Sequence, residues 1–191
     1  MKSKAFEWIA RAIAVLVLTV AIGAQGQNWG HKDKKFSGAI NAYSPQTTSA
    51  TGAITGPYEV RGPWSLILKR DATKADFSAA LNMEFSDGWV LSQPARNFDP
   101  TLRNAHTHHI TLVDADVMQI PNGFQITGTA TFTLNGGPAP TSVAPSPVVI
   151  AITGGSDVEF SNITLTFLSP GSNHFGPAPL PGVVRSVKEI R

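Results

Sequence analysis

Apolar and polar residues alternate with a period of two along most of the chain after Phe36. Trp64, Leu66 and Leu68 alternate with Ser65, Ile67 and Lys69, and Phe77, Ala79, Leu81, Met83 and Phe85 alternate with Ser78, Ala80, Asn82 and Glu84. The polar run Arg70-Asp71-Ala72-Thr73-Lys74 between them predicts a hairpin. Ala, Leu and Met also suit a helix over 75–85, but five apolar residues on one strand face outweigh that propensity. The cleanest alternation sets Phe124, Ile126, Gly128, Ala130, Phe132 and Leu134 against Gln125, Thr127, Thr129, Thr131 and Thr133. One face of such a strand packs and the other carries a row of threonines. Ile163, Leu165 and Phe167 alternate in the same way, and 148–152 is a shorter, more continuously apolar strand. Further strands are predicted over 110–118 and 36–43, with a weaker one over 58–60.

Turn signals separate these runs at Gly56-Pro57, Gly62-Pro63, Asp87-Gly88, Pro121-Asn122-Gly123, Gly136-Gly137-Pro138 and Gly154-Gly155. About eight short strands without a convincing helix predict an all-β fold, an antiparallel β-sandwich or small β-barrel. The predicted β-domain spans 36–169. Residues 27–35 read as a flexible N-terminal segment, and 90–105 as irregular. Residues 170–191 read as a Pro-rich C-terminal tail or surface strap, because Pro170, Pro177, Pro179 and Pro181 crowd its first half.

The first 26 residues change the picture. Lys2, Lys4 and Arg11 precede an apolar stretch from Ala12 to Ile22, and Ala24-Gln25-Gly26 supplies a small-x-small cleavage site. This is the pattern of a secretory signal peptide over 1–26, which predicts a periplasmic or extracellular protein. The uninterrupted apolar stretch falls short of the ~20 residues of a spanning helix, so no transmembrane segment is expected after cleavage. Of the chain's 15 basic and 13 acidic residues, three and one fall in this leader, so the remainder is balanced at twelve of each. A balanced chain has no electrostatic basis for nucleic-acid binding. With no Cys in 191 residues, disulfide scaffolds, thiol nucleophiles, Cys-ligated metal sites and lipoprotein anchoring are excluded.

Chemistry concentrates in Asn104-Ala105-His106-Thr107-His108-His109-Ile110. On a strand, His106 and His108 share a face, about 6–7 Å apart along the backbone, and two imidazoles so placed can converge on one divalent transition-metal ion, zinc foremost. Candidates to complete the set are His31, His174, Asp99, Glu84, Asp114 and Asp116. Asp114 shares the face of His106 and His108 provided that the strand carries no bulge. No Glu follows at the spacing a cupin motif requires, and neither a GxSxG elbow nor an HExxH helix is present. Asp114 and Asp116 read as a solvated strand edge more readily than as paired glycosidase carboxylates. Trp64 reads as core. Trp89, at a predicted strand end, is a candidate aromatic platform for a ligand.

Gly62-Pro63-Trp64-Ser65-Leu66, Ala75-Asp76-Phe77-Ser78-Ala79-Ala80-Leu81, the segment from Arg103 to Leu112 and Ser161-Asn162-Ile163-Thr164-Leu165-Thr166-Phe167 resemble segments of a group of exported bacterial β-rich proteins of unassigned function. The resemblance implies export and a β-rich fold, and brings no activity. The expected function is that of an exported small β-domain acting as a non-catalytic binding or envelope-associated protein for a small molecule, glycan or protein. The alternative is a metal-binding protein, or a metal-dependent hydrolase or lyase, built on His106 and His108.

Overall fold

The alternating segments become strands in the computed structural model, which describes residues 32–44, 47–48, 54–55, 57–85, 105–138, 144–154 and 161–190. In chain order they are β1 (Asp33–Ser44), β2 (Thr47–Thr48), β3 (Ile54–Thr55), β4 (Tyr58–Leu68), β5 (Lys74–Phe85), β6 (His106–Ile120), β7 (Gly123–Leu134), β8 (Gly137–Pro138), β9 (Ser146–Thr153) and β10 (Asn162–Phe167). A single helical turn, α1 (Ser172–Phe175), leads into the last strand, β11 (Leu180–Ile190). The leader over 1–26 lies outside the described residues.

The strands hydrogen-bond in the order β6-β5-β4-β1-β11-β10-β9-β7, and β6 also pairs with β7. Eight long antiparallel strands therefore close on themselves as a small barrel, with β8 added beside β7 and β2–β3 forming a separate ribbon. Closure removes the unpaired edges that an open sheet would present. It also sets the width of the interior, which at eight strands is narrow enough for side chains to fill. Phe36, Leu66, Phe77, Leu81, Ile110, Phe124, Ile150 and Leu165 fill it, each 2% exposed or less. Phe36 meets Phe124 edge-on across the lumen with ring centroids 5.3 Å apart, and Trp64 stacks near Phe77 at 6.2 Å. Outside, Thr127, Thr129 and Thr131 of β7 face solvent. No helix among the described residues is long and apolar enough to cross a membrane.

Three sequence expectations are corrected. Gly62-Pro63 is not a turn. It lies inside β4, with Gly62 opposite Ile40 and Pro63 opposite Ala39. A Cβ at Gly62 would sit 1.8 Å from the Ala80 carbonyl oxygen, so this glycine serves close strand approach. The strand also starts earlier than 36, since Asp33 to Lys35 belong to β1. Most far-reaching, 170–191 is not a tail. Leu180–Ile190 is a barrel strand that pairs with both β1 and β10.

Two bulges shape the barrel. In β6 the register slips between Thr111 and Asp116 against β7, and β5 steps from Phe77 to Ala75 while β6 steps from Leu112 to Ala115. Asp114 sits at this bulge with φ 54°. The inward series therefore changes parity, from His108, Ile110 and Leu112 to Ala115. The second bulge lies where Ser37 faces Ser186 and Gly38 faces Val184. At Gly38 an added Cβ would lie 1.9 Å from the Val183 carbonyl oxygen and 3.0 Å from the Trp64 ring.

That contact is with backbone, which cannot swing aside. Gly38→Ala is expected to destabilise the barrel by about 2–3 kcal/mol, measured as a lower urea midpoint with an unchanged slope. A neutral Gly38→Ala would contradict this account of how β11 seats on β1.

Candidate metal centre

An up-and-down barrel puts alternate connections at opposite ends. At one end the turn after β4 and the turn after β6 are tight, spanning Lys69–Thr73 and Pro121–Asn122. At the other end lie the longer connections from β1 to β4, β5 to β6, β7 to β9 and β10 to β11. Long connections on a rigid scaffold are where binding chemistry concentrates, and the histidines lie at this end. His106 and His108 open β6 with both side chains directed inward. His108 is 2% exposed, while His109 points outward and is exposed.

The third histidine comes from the segment that the sequence suggested was a tail. Gly171 to Gly176 makes a short turn with Phe175 N–H donating to Gly171 O and Gly176 N–H to Ser172 O. Gly176 has φ +83°, a conformation that glycine adopts without cost, and stops the helix at once. Phe175 is fully buried. It stacks on Phe167 at 4.0 Å and contacts Phe132 at 5.8 Å and the His108 ring at 5.1 Å. Burying that side chain contributes about 2–3 kcal/mol and seats α1 in the barrel mouth. Two side-chain bonds fasten the turn: Ser44 Oγ donates to Phe175 O at 2.8 Å, and Gly171 N–H donates to Ser146 Oγ at 2.5 Å.

With Phe175 anchored, His174 is turned towards β6. Its Nε2 lies 2.9 Å from His108 Nε2 and 3.1 Å from His106 Nε2. The ligand nitrogens of all three lie within 4.8 Å of one another. The other ring nitrogen of His108, Nδ1, is 3.0 Å from the Thr133 carbonyl oxygen. A carbonyl only accepts, so Nδ1 carries the proton and Nε2 of neutral His108 is a bare lone pair. His174 Nε2 must then donate towards His108, and its single N–H cannot also point at His106. A cation would satisfy the three nitrogens together. Bonds of ~2.0–2.1 Å in a tetrahedral site place ligand nitrogens roughly 3.3 Å apart, near the two short separations found here. The Nδ1–H to carbonyl bond is the orienting contact that metal-ligating histidines use.

The surroundings keep His108 and His174 neutral. Burial, reinforced by His106, pushes the His108 pKa down to about 4 against the opposing pull of the Thr133 carbonyl. Burial, then His108 and His106, pushes His174 down to about 3. Tyr58 is buried and packs its ring edge-on to His106 at 5.5 Å. Beside His106 a cavity of about 400 Å³ opens, lined also by Glu59, Arg61, Asn82, Met83, Glu84 and Asn135. Asn135 is held by the strand, its Oδ1 accepting from Thr107 N–H at 2.8 Å.

Of the six completing ligands suggested by sequence, four lie among the described residues, and of these only His174 joins the pair. Glu84 borders the cavity without belonging to the trio. Asp114 and Asp116 are exposed near the opposite end. There Lys69 Nζ contacts Asp114 at 3.3 Å and Lys74 Nζ contacts Asp116 at 2.7 Å. The condition attached to Asp114 fails because the bulge turns it outward. His31, Asp99 and Trp89 lie outside the described residues. Sequence reasoning did not find the parts played by Phe175, Tyr58 and the Thr133 carbonyl. None of them carries a spacing signal relative to β6. The chain matches no protein-family profile, no curated protein and no solved structure.

Both depressed pKa values lie below the ordinary 6.5, so in acid the folded chain binds fewer protons than the unfolded one. The stability linked to these groups is fully present above about pH 6.5 and is lost as pH falls towards 4 and then 3. Each titrating group accounts for about 1.4 kcal/mol per pH unit. In chelator-treated protein the urea midpoint is expected to drop steadily below pH 6.5, with a shallower drop in His174→Phe. Equal acid sensitivity in the two proteins would contradict the burial of a neutral His174.

Proposed function

We propose that this is an exported β-barrel protein whose role is to bind a transition-metal ion through Nε2 of His106, His108 and His174. The observation that carries the reading is the clustering of three imidazole nitrogens within 4.8 Å of one another, with separations of 2.9 and 3.1 Å about His174 Nε2. Two features support it. The His108 lone pair is held towards this cluster by the Thr133 carbonyl, and burial keeps His108 and His174 in the neutral form that a metal requires. Imidazole suits zinc, copper, nickel and iron. Export is part of the proposal and rests on the leader pattern of residues 1–26. Membership of the exported bacterial group resembled by the 103–112 segment is likewise proposed, and adds no activity.

One observation favours a second reading, a metal-dependent hydrolase or lyase. Catalytic zinc sites combine three protein ligands with an open position, and the cavity beside His106 could admit a small polar substrate. Glu84, Asn82 and Asn135 line it. In that reading metal-loaded protein hydrolyses ester or phosphoester probes and chelated protein does not.

The test is elemental analysis of protein purified without an affinity His-tag and incubated with zinc, copper or nickel. One equivalent per chain is expected in the wild type. His108→Ala or His174→Ala should weaken affinity by at least ~100-fold, since loss of even an outer-shell partner costs 10–100-fold. Absence of bound metal, or the same content in a His108→Ala/His174→Ala double variant, would end the reading.

A further inference from the structure

Three imidazoles alone do not choose between zinc and copper. The inner face of β5 adds a donor that does. The pairing of β5 with β6 sets Leu81 opposite His108 and Met83 opposite His106, and all four side chains belong to the inward series of their strands. Residues directly opposite in an antiparallel pair have Cβ atoms about 4.5–5.5 Å apart. Met83 is 1% exposed and borders the same cavity as His106. On its other side it faces Val60 of β4, and Tyr58, two residues along, packs on the His106 ring.

The chain contains three methionines: Met1, Met83 and Met118. Met118 is 56% exposed and Met1 lies outside the described residues. The methionine on the inner face is thus the residue in register with a histidine of the trio. A leucine would fill such a position as well as it fills Leu81 and Leu66. A methionine adds a soft, polarisable thioether on a side chain with three rotatable bonds.

We propose that Met83 completes the donor set, and that the ion this barrel holds is copper in its cuprous state, bound by three imidazoles and one thioether. The inference rests on the three-histidine site proposed above and specifies its cargo. Thioether sulfur selects Cu(I) over harder divalent ions, whereas the imidazoles bind both. A fourth protein donor also leaves no open position, which makes the site one for holding an ion and not for turning over a substrate. No electron transfer is part of this proposal, since the ion is taken up and kept as Cu(I).

The test uses the full mature chain under reducing, anaerobic conditions. Cu(I) affinity is measured by competition with bicinchoninate, and Zn(II) affinity by competition with a chromophoric chelator. Met83→Leu conserves volume, so the barrel should tolerate it. It is expected to weaken Cu(I) binding by about tenfold or more while leaving Zn(II) affinity unchanged, and Met118→Leu should alter neither. Copper-edge X-ray absorption of the wild type should contain a sulfur scatterer, and this needs no variant to fold. The proposal is overturned by unchanged Cu(I) affinity in Met83→Leu, by equal losses for both ions, or by a wild-type spectrum with nitrogen scatterers only. Those results would leave the three-histidine site standing. Failure of the wild type to bind either ion would instead remove that site and this inference together.

Discussion

Pairing of β11 with β1 joins the last strand of the sheet to the first, and the position of everything at the barrel mouth depends on it. Leu180 to Val183 also pair with β10, so the connection from β10 to β11 lies at the end of the barrel where β6 begins. That connection contains α1. Its Phe175 fills the mouth, and the neighbouring His174 is brought within 3.1 Å of both His106 and His108. A strand that left the sheet at β10 would leave the interior open to water and the third imidazole unplaced. Closure, packing of the mouth and assembly of the site are therefore one event.

The same constraint explains why this site is buried and still reachable. The eight-stranded interior is filled here by buried apolar side chains, so chemistry is confined to the last layer of inward positions at one end. His106 and His108 occupy that layer on β6, Met83 on β5 and Tyr58 on β4. Below them Ile110, Leu112, Ala79 and Phe77 continue the same two inner faces as packed hydrocarbon. Burial keeps His108 and His174 neutral, and neutral imidazoles are ligands. Rings whose protonation is this costly suit a stored cation.

Much of the fold was legible in the sequence because period-two alternation reports directly on a half-buried antiparallel strand. The hairpin around 70–74 appears as read, and so does the Thr-backed strand over 124–134, which the structure extends by one residue to Gly123. Alternation failed where the chain departs from a regular pleat. Val184 and Ser186 flank a bulge against β1, which breaks the spacing of inward residues in β11. Four prolines nearby then made 170–191 look like a strap. Only Pro181 lies in the strand; Pro170, Pro177 and Pro179 belong to the turn before it. Pro63 misled in the opposite direction, since Gly62-Pro63 has the composition of a turn but lies within β4. The candidate site was half legible. The His-x-His spacing identifies a shared strand face, but His174 is 66 residues from His108, and only barrel closure makes them neighbours. Asp114 is excluded by a bulge that no local composition announces.

The central claim is that three nitrogens supplied by two distant segments enclose one ion. Crystals of the protein grown with copper or zinc, with diffraction recorded on both sides of the metal's absorption edge, test it most directly. The account predicts one anomalous peak per chain, about 2.0–2.1 Å from Nε2 of each of His106, His108 and His174. A peak elsewhere, or a metal-free trio still joined by nitrogen-to-nitrogen hydrogen bonds after soaking in excess ion, would contradict it.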